Sequence, residues 1–163
     1  MKKTVVQSEF FEFESADELN DEDKKLVAEA KSSAKDAYAP YSNFYVGAAV
    51  LLANGMIVKG NNQENASYPI GLCAERVAIF SAGANYPGVE IKAIAITAFS
   101  KEFLIDKPVA PCGACRQAIA EYEHRYKNPI RLILIGEKGN AVVAEGIKQF
   151  LPFMFNGDDL KKK

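Results

Sequence analysis

The sequence predicts an α/β domain, a three-layer sandwich in which one mixed sheet of about five strands carries helices on both faces. Three observations predict it. Segments of helical and of strand-like apolar pattern follow one another along the chain. Turn signals divide them, at Asn54-Gly55, Asn128-Pro129 and Gly139-Asn140. The 163 residues, 48% of them hydrophobic, suit one domain with a substantial core. No internal repeat, low-complexity stretch or linker interrupts the chain. Residues 1–20 read as an N-terminal extension and 21–163 as the domain.

Residues 1–14 alternate loosely, with Phe11 and Phe13 opposite Glu12 and Glu14, and fit either an edge strand or a mobile arm. A helix is expected over 21–38. Asn20 is placed to cap it, and Asp21, Glu22 and Asp23 suit the positive end of its dipole. Leu26, Val27, Ala30, Ala34, Ala37 and Tyr38 make its apolar stripe, and Pro40 stops it. Strands follow at 44–53 and 56–60, joined by the Asn54-Gly55 hairpin signal. A polar, turn-rich stretch leads to a helix over 73–83. The short β-rich run 91–98 is a buried strand. A third helix spans 112–125, strands take 130–135 and 141–144, and a short helix falls near 147–150.

Charge narrows the partners. The 20 basic residues nearly balance 21 acidic ones, and no basic run stands out beyond the last three lysines. A polynucleotide-binding face is therefore not expected, and a small substrate is. No stretch is apolar enough to span a membrane. Residues 1–13 lack the apolar centre of a secretory signal, so a cytoplasmic location is expected. Three cysteines cannot all pair with one another, and a reducing cytosol disfavours disulfides.

The chemistry lies in Cys73-Ala74-Glu75 and in Pro111-Cys112-Gly113-Ala114-Cys115-Arg116-Gln117. A C-x-x-C pair alone is found in redox motifs and structural zinc sites, and a lone cysteine is usually a small buried hydrophobe. Here all three cysteines fall at expected helix starts. Residues i and i+2 of a helix are about 200° apart, so Cys73 and Glu75 can share a point only beyond the helix N-terminus. That places a metal between two positive helix ends, which favour thiolates. Three thiolates leave a tetrahedral Zn²⁺ one open position, the mark of a catalytic rather than a structural site. We therefore expect one zinc per chain on Cys73, Cys112 and Cys115, with Glu75 as the proton carrier. His124, the single histidine, lies about 13 Å along a continuous helix from Cys115 and is excluded as the fourth ligand. Arg76 is either an ordinary surface arginine or a donor that offsets the excess thiolate charge. We favour the latter.

These motifs resemble the signature of zinc deaminases in its three-cysteine form, in which the glutamate is not a ligand. The chain resembles the small homotetrameric cytidine deaminases in particular, over about 37–155. The similarity includes Tyr41-Ser42-Asn43-Phe44-Tyr45-Val46-Gly47-Ala48-Ala49, Asn62-Gln63-Glu64-Asn65-Ala66-Ser67-Tyr68, the two cysteine motifs and Leu151-Pro152. The resemblance implies hydrolytic deamination of cytidine and deoxycytidine in pyrimidine salvage. It implies that Asn62 and Glu64 bind the sugar and that Phe44 packs on the pyrimidine. From the residues alone, Asn62 and Glu64 point the same way in an extended segment but read as a turn asparagine and a solvated glutamate. Phe44 reads equally as a core residue opening a strand.

The apolar end Phe150-Leu151-Pro152-Phe153-Met154-Phe155 either forms an interface or folds back on its own core. The resemblance implies a homotetramer in which Phe155 lies over a neighbour's pyrimidine, with Phe153 the substitute if the register differs. Three competing readings are weaker. A nucleoside-antibiotic deaminase shares the metal motifs but not the complete 62–65 segment. A polynucleotide-editing deaminase does not fit Cys73 and the balanced charge. A non-catalytic zinc domain would need a fourth ligand.

Overall fold

The computed structural model describes residues 1–161. Its strands are β1 (Phe11–Phe13), β2 (Phe44–Leu52), β3 (Ile57–Asn61), β4 (Ile91–Ser100), β5 (Arg131–Ile135) and β6 (Ala141–Glu145). Its helices are α1 (Asp21–Ala34), α2 (Ala74–Asn85) and α3 (Gly113–Tyr126). The strands form one sheet in the order β1-β6-β5-β4-β2-β3. Strands β4 and β5 pair in parallel, with α3 crossing between them, and the other strand pairs among the described residues are antiparallel, so the sheet is mixed as expected.

Two cores flank the sheet. On one face Leu26, Val27 and Ala30 of α1 pack against Ala49, Leu51, Ala95 and Ile133. On the other, Ala78, Ile79 and Ala82 of α2 and Ile119 of α3 pack against Val50, Ile94, Ile96 and Leu132. Strand residues alternate between the cores, as the two-residue period of a strand requires. Asn20 caps α1 as expected, its Oδ1 accepting from the Asp23 amide at 2.8 Å. Gly55 turns the β2–β3 hairpin with φ +83°.

Two expectations need correction. The sheet has six strands rather than about five, because β1 adds to the outer edge of β6, pairing Phe11 with Val143 and Phe13 with Ala141. Helix α1 ends at Ala34, not Tyr38. The next amides bond three residues back, and the Tyr38 amide then donates to Asn62 O at 3.0 Å. Pairing with the 61–64 segment outweighs the helical stripe there, and Pro40 disfavours helical backbone at Ala39.

Glycines set how closely two helices approach. A Cβ on Gly60 of β3 would lie 2.6 Å from Ala74 O, so the start of α2 rests directly on the strand. A Cβ on Gly47 of β2 would lie 2.6 Å from Ala34 N at the end of α1.

Candidate metal centre and substrate cleft

Cys73 is the N-cap of α2 and Cys112 the N-cap of α3, and neither uses its side chain to cap its helix. Cys115 follows in the first turn of α3, fully buried. The three sulfurs therefore gather at two helix N-termini, where partial positive charge favours thiolate. Cys73 Sγ and Cys112 Sγ are 3.8 Å apart, and Cys112 Sγ and Cys115 Sγ 3.5 Å. All three lie within 4.8 Å of one another. A tetrahedral ion with Zn–S bonds of about 2.3 Å sets its sulfurs about 3.8 Å apart, so the cluster fits such an ion.

The Cys73 thiol is lowered to about 5, chiefly by the Cys115 hydrogen bond, against burial and with help from Arg76 and Cys112. Cys115 is pushed up, first by that same bond to Cys73 and then by burial. Arg76 stands beside the cluster, its Nη2 3.8 Å from Cys73 Sγ and 3.4 Å from Gly71 O. Glu75, in the first turn of α2, is only 4% exposed. Burial raises its carboxyl above the usual range, with its own backbone amide pulling the other way.

Cys73, Cys112 and Glu75 line a cleft of about 660 Å³ that also takes in Phe44, Asn62 and Glu64. That volume is usual for a small-molecule site. Backbone pairing ties the 62–64 segment to the approach to Cys73. The Gln63 amide donates to Leu72 O at 2.9 Å, and the Leu72 amide donates to Gln63 O at 3.0 Å. The sugar-binding candidates are thus held beside the residue that precedes Cys73. Phe44 opens β2 and lines the cleft, half-buried and outside both cores.

Asn62 and Glu64 are more occupied than a turn asparagine and a solvated glutamate would be. Asn62 Oδ1 accepts from the Val46 amide at 2.8 Å, and its Nδ2 donates to Phe44 O at 2.9 Å. The Glu64 carboxylate accepts from the amides of Tyr41 and Ser42 and from the Ser42 hydroxyl. Slight burial pushes the Glu64 carboxyl up, but the Ser42 and Tyr41 hydrogen bonds outweigh it and leave it lowered. Both side chains thus brace 41–46 as well as facing the cleft. Ser42 and Tyr41, which line it too, carried no role in the sequence reading. The signal for them was their place in the 41–49 motif.

His124 sits in the last turn of the unbroken α3, 3.8 Å from an Asp158 carboxylate oxygen and away from the sulfur cluster. Phe155 is 57% exposed and Phe153 81% exposed, and neither lines this chain's own cleft. Phe150, Leu151 and Met154 pack against the core under α2 and α3. The apolar chain end therefore divides, half folded inward and half turned out.

Fold and site together define an α/β domain with a three-cysteine cluster able to coordinate a metal at paired helix N-termini, and a buried carboxyl beside it. Residues 20–127 match the family model described as the cytidine and deoxycytidylate deaminase zinc-binding region. The chain belongs to the cytidine deaminase family. It is 41% identical over 138 residues to a cytidine deaminase of Sporosarcina psychrophila, across 84% of this chain and 93% of the relative. A cytidine deaminase of Mycobacterium tuberculosis is 35% identical over 141 residues, across 85% and 92%. The crystal structure of the Burkholderia pseudomallei cytidine deaminase superposes with a TM-score of 0.69 at 42% identity, covering 80% of this chain and 97% of that one. Among the described residues, no helix is long and apolar enough to cross a membrane.

Proposed function

We propose that this protein hydrolyses cytidine and deoxycytidine to uridine and deoxyuridine, releasing ammonia, with one zinc per chain held by Cys73, Cys112 and Cys115. The observation that carries the reading is the sulfur triangle, spaced for a tetrahedral ion, opening on the same cleft as the buried Glu75. A bound zinc would supply Lewis acidity, making a water acidic enough to lose a proton near neutral pH. Glu75 accepts that proton and passes it to the ring nitrogen N3 as the water oxygen attacks C4. Glu75 then takes the second proton of the attacking oxygen and delivers it to the amino group, which leaves as ammonia while the C4 carbonyl forms. A carboxyl raised by burial is suited to both directions of transfer.

In the same cleft, Glu64 keeps acceptor capacity for ribose hydroxyls, and Asn62 keeps one N–H. Phe44 flanks the base. These assignments favour a free nucleoside, the substrate of pyrimidine salvage. The test is ammonia release, or the absorbance change, on incubating zinc-replete protein with cytidine, beside the Glu75→Gln variant. We expect activity in the former. In the latter, zinc should be retained and turnover should fall at least about 10²-fold, the scale for a general acid–base group. Inactive zinc-replete protein would sink the function, and near-normal turnover of Glu75→Gln would remove Glu75 from it.

A further inference from the structure

Arg116 follows Cys115 in α3, yet its side chain serves two carbonyls outside the helix. Its Nε donates to Pro111 O at 2.8 Å and its Nη1 to Phe150 O at 3.0 Å. Pro111 is buried and immediately precedes Cys112. Its carbonyl lies before the ladder of α3, which starts where Cys112 O accepts the Arg116 amide at 2.9 Å. A buried carbonyl at that place needs a side-chain partner, and Arg116 is the one it has. On the other side the guanidinium carbon lies 5.6 Å from the centre of the Phe150 ring, which packs edge-on to Phe10 at 5.0 Å. One guanidinium thus joins the backbone just before a candidate ligand to the start of the chain end.

We propose that Arg116 is a positioning residue of the metal centre. By holding Pro111 O against Phe150 O, it fixes the turn that presents Cys112 and so sets the spacing of the three sulfurs. A planar fork with several donors can hold both carbonyls at once, and a single ammonium cannot do so in the same geometry. The inference rests on the zinc reading above.

The test compares full-length wild type with Arg116→Ala, Arg116→Lys and Phe10→Ala. Zinc affinity is measured by competition with a chromophoric chelator, and ligand geometry by the thiolate charge-transfer and d–d bands of the Co²⁺-substituted protein. Arg116→Ala should lose about 10- to 100-fold in zinc affinity, the scale for residues that orient metal ligands, and shift the Co²⁺ bands. Arg116→Lys should fall between it and wild type. Phe10→Ala loosens Phe150 but leaves both Arg116 bonds. It should lower the melting temperature, keep zinc affinity within about twofold and leave the Co²⁺ spectrum unchanged. If Arg116→Ala does not fold, Arg116→Lys against Phe10→Ala decides. Wild-type affinity and spectrum in the arginine variants, or an equal loss in Phe10→Ala, would overturn the role of Arg116 alone. Wild-type protein that takes up no zinc would defeat the zinc reading and this inference with it.

Discussion

The guanidinium of Arg76 is tied down at one end only. Its Nη2 reaches Gly71 O and the Cys73 sulfur, while its buried Nε has no hydrogen-bond partner among the described residues. A buried donor left unpaired is costly, so the sulfur contact is the compensating gain. We predict that Arg76→Ala retains zinc but slows catalysis, by about tenfold or more, because excess thiolate charge on Cys73 then weakens the metal as a Lewis acid. Unchanged turnover across the pH range would make Arg76 a bystander. At this scale the sequence was informative wherever chemistry dictates residue type: the cysteines, Glu75 and Arg76 lie together as their spacing implied. It was silent on the Asn62 and Glu64 hydrogen bonds to 41–46. Those depend on two segments some 20 residues apart meeting in space, which no local period encodes.

Among the elements, α2 is held closely at its start. Its first turn carries Glu75, its N-cap is Cys73, and its backbone rests on Gly60 of β3 with no room for a methyl group. Gly60→Ala must push the helix start off the sheet or distort both. We expect a loss of about 1–3 kcal/mol, the usual scale of overpacking, accompanied by weaker zinc retention. Urea unfolding and zinc content measured on the same preparation test this. A stable variant with full zinc would mean that the contact yields easily. Helices α2 and α3 and strands β2 to β6 are legible because helical spacing or a short β-rich apolar run is bounded in each case by turn-forming residues or a proline. The cues fade at two places. The loose alternation of 1–14 fits an edge strand and a mobile arm alike, because only the three residues of β1 pair, and the last turn expected for α1 gives way to a bridge between Tyr38 and Gln63.

For the whole molecule, the outward half of the chain end raises the question of assembly. Tyr68, Ile70 and Phe80 are also exposed apolar side chains. The Phe155 carbonyl accepts from Gln117 Nε2 at 2.7 Å, so its backbone is fastened to α3 while its ring stays free. We propose a homotetramer in which that ring covers the pyrimidine in an adjacent subunit. Phe155→Ala should then raise KM for cytidine about tenfold, the scale of losing ~1.5 kcal/mol of aromatic contact. Dilution should weaken substrate binding and association together, as read by activity and light scattering over one series. A fully active monomer would defeat the assembly and the role of Phe155.

The separation of the cysteines along the chain has a consequence for folding. Cys73 and Cys112 stand 39 residues apart, with the end of the first motif, α2 and β4 lying between them. With the proposed zinc in place, the metal closes this stretch into a loop as a disulfide would. The chain-entropy relation for a cross-link of that span gives about 4 kcal/mol, gained by restricting the unfolded chain rather than by any contact in the folded one. Removing the zinc with a chelator should therefore lower the melting temperature by on the order of 10 °C, measured calorimetrically. An unchanged melting temperature would mean that the sulfur triangle is held together equally well without the staple. A lowered melting temperature would give the ion proposed for the reaction a second role, setting the temperature at which the chain unfolds.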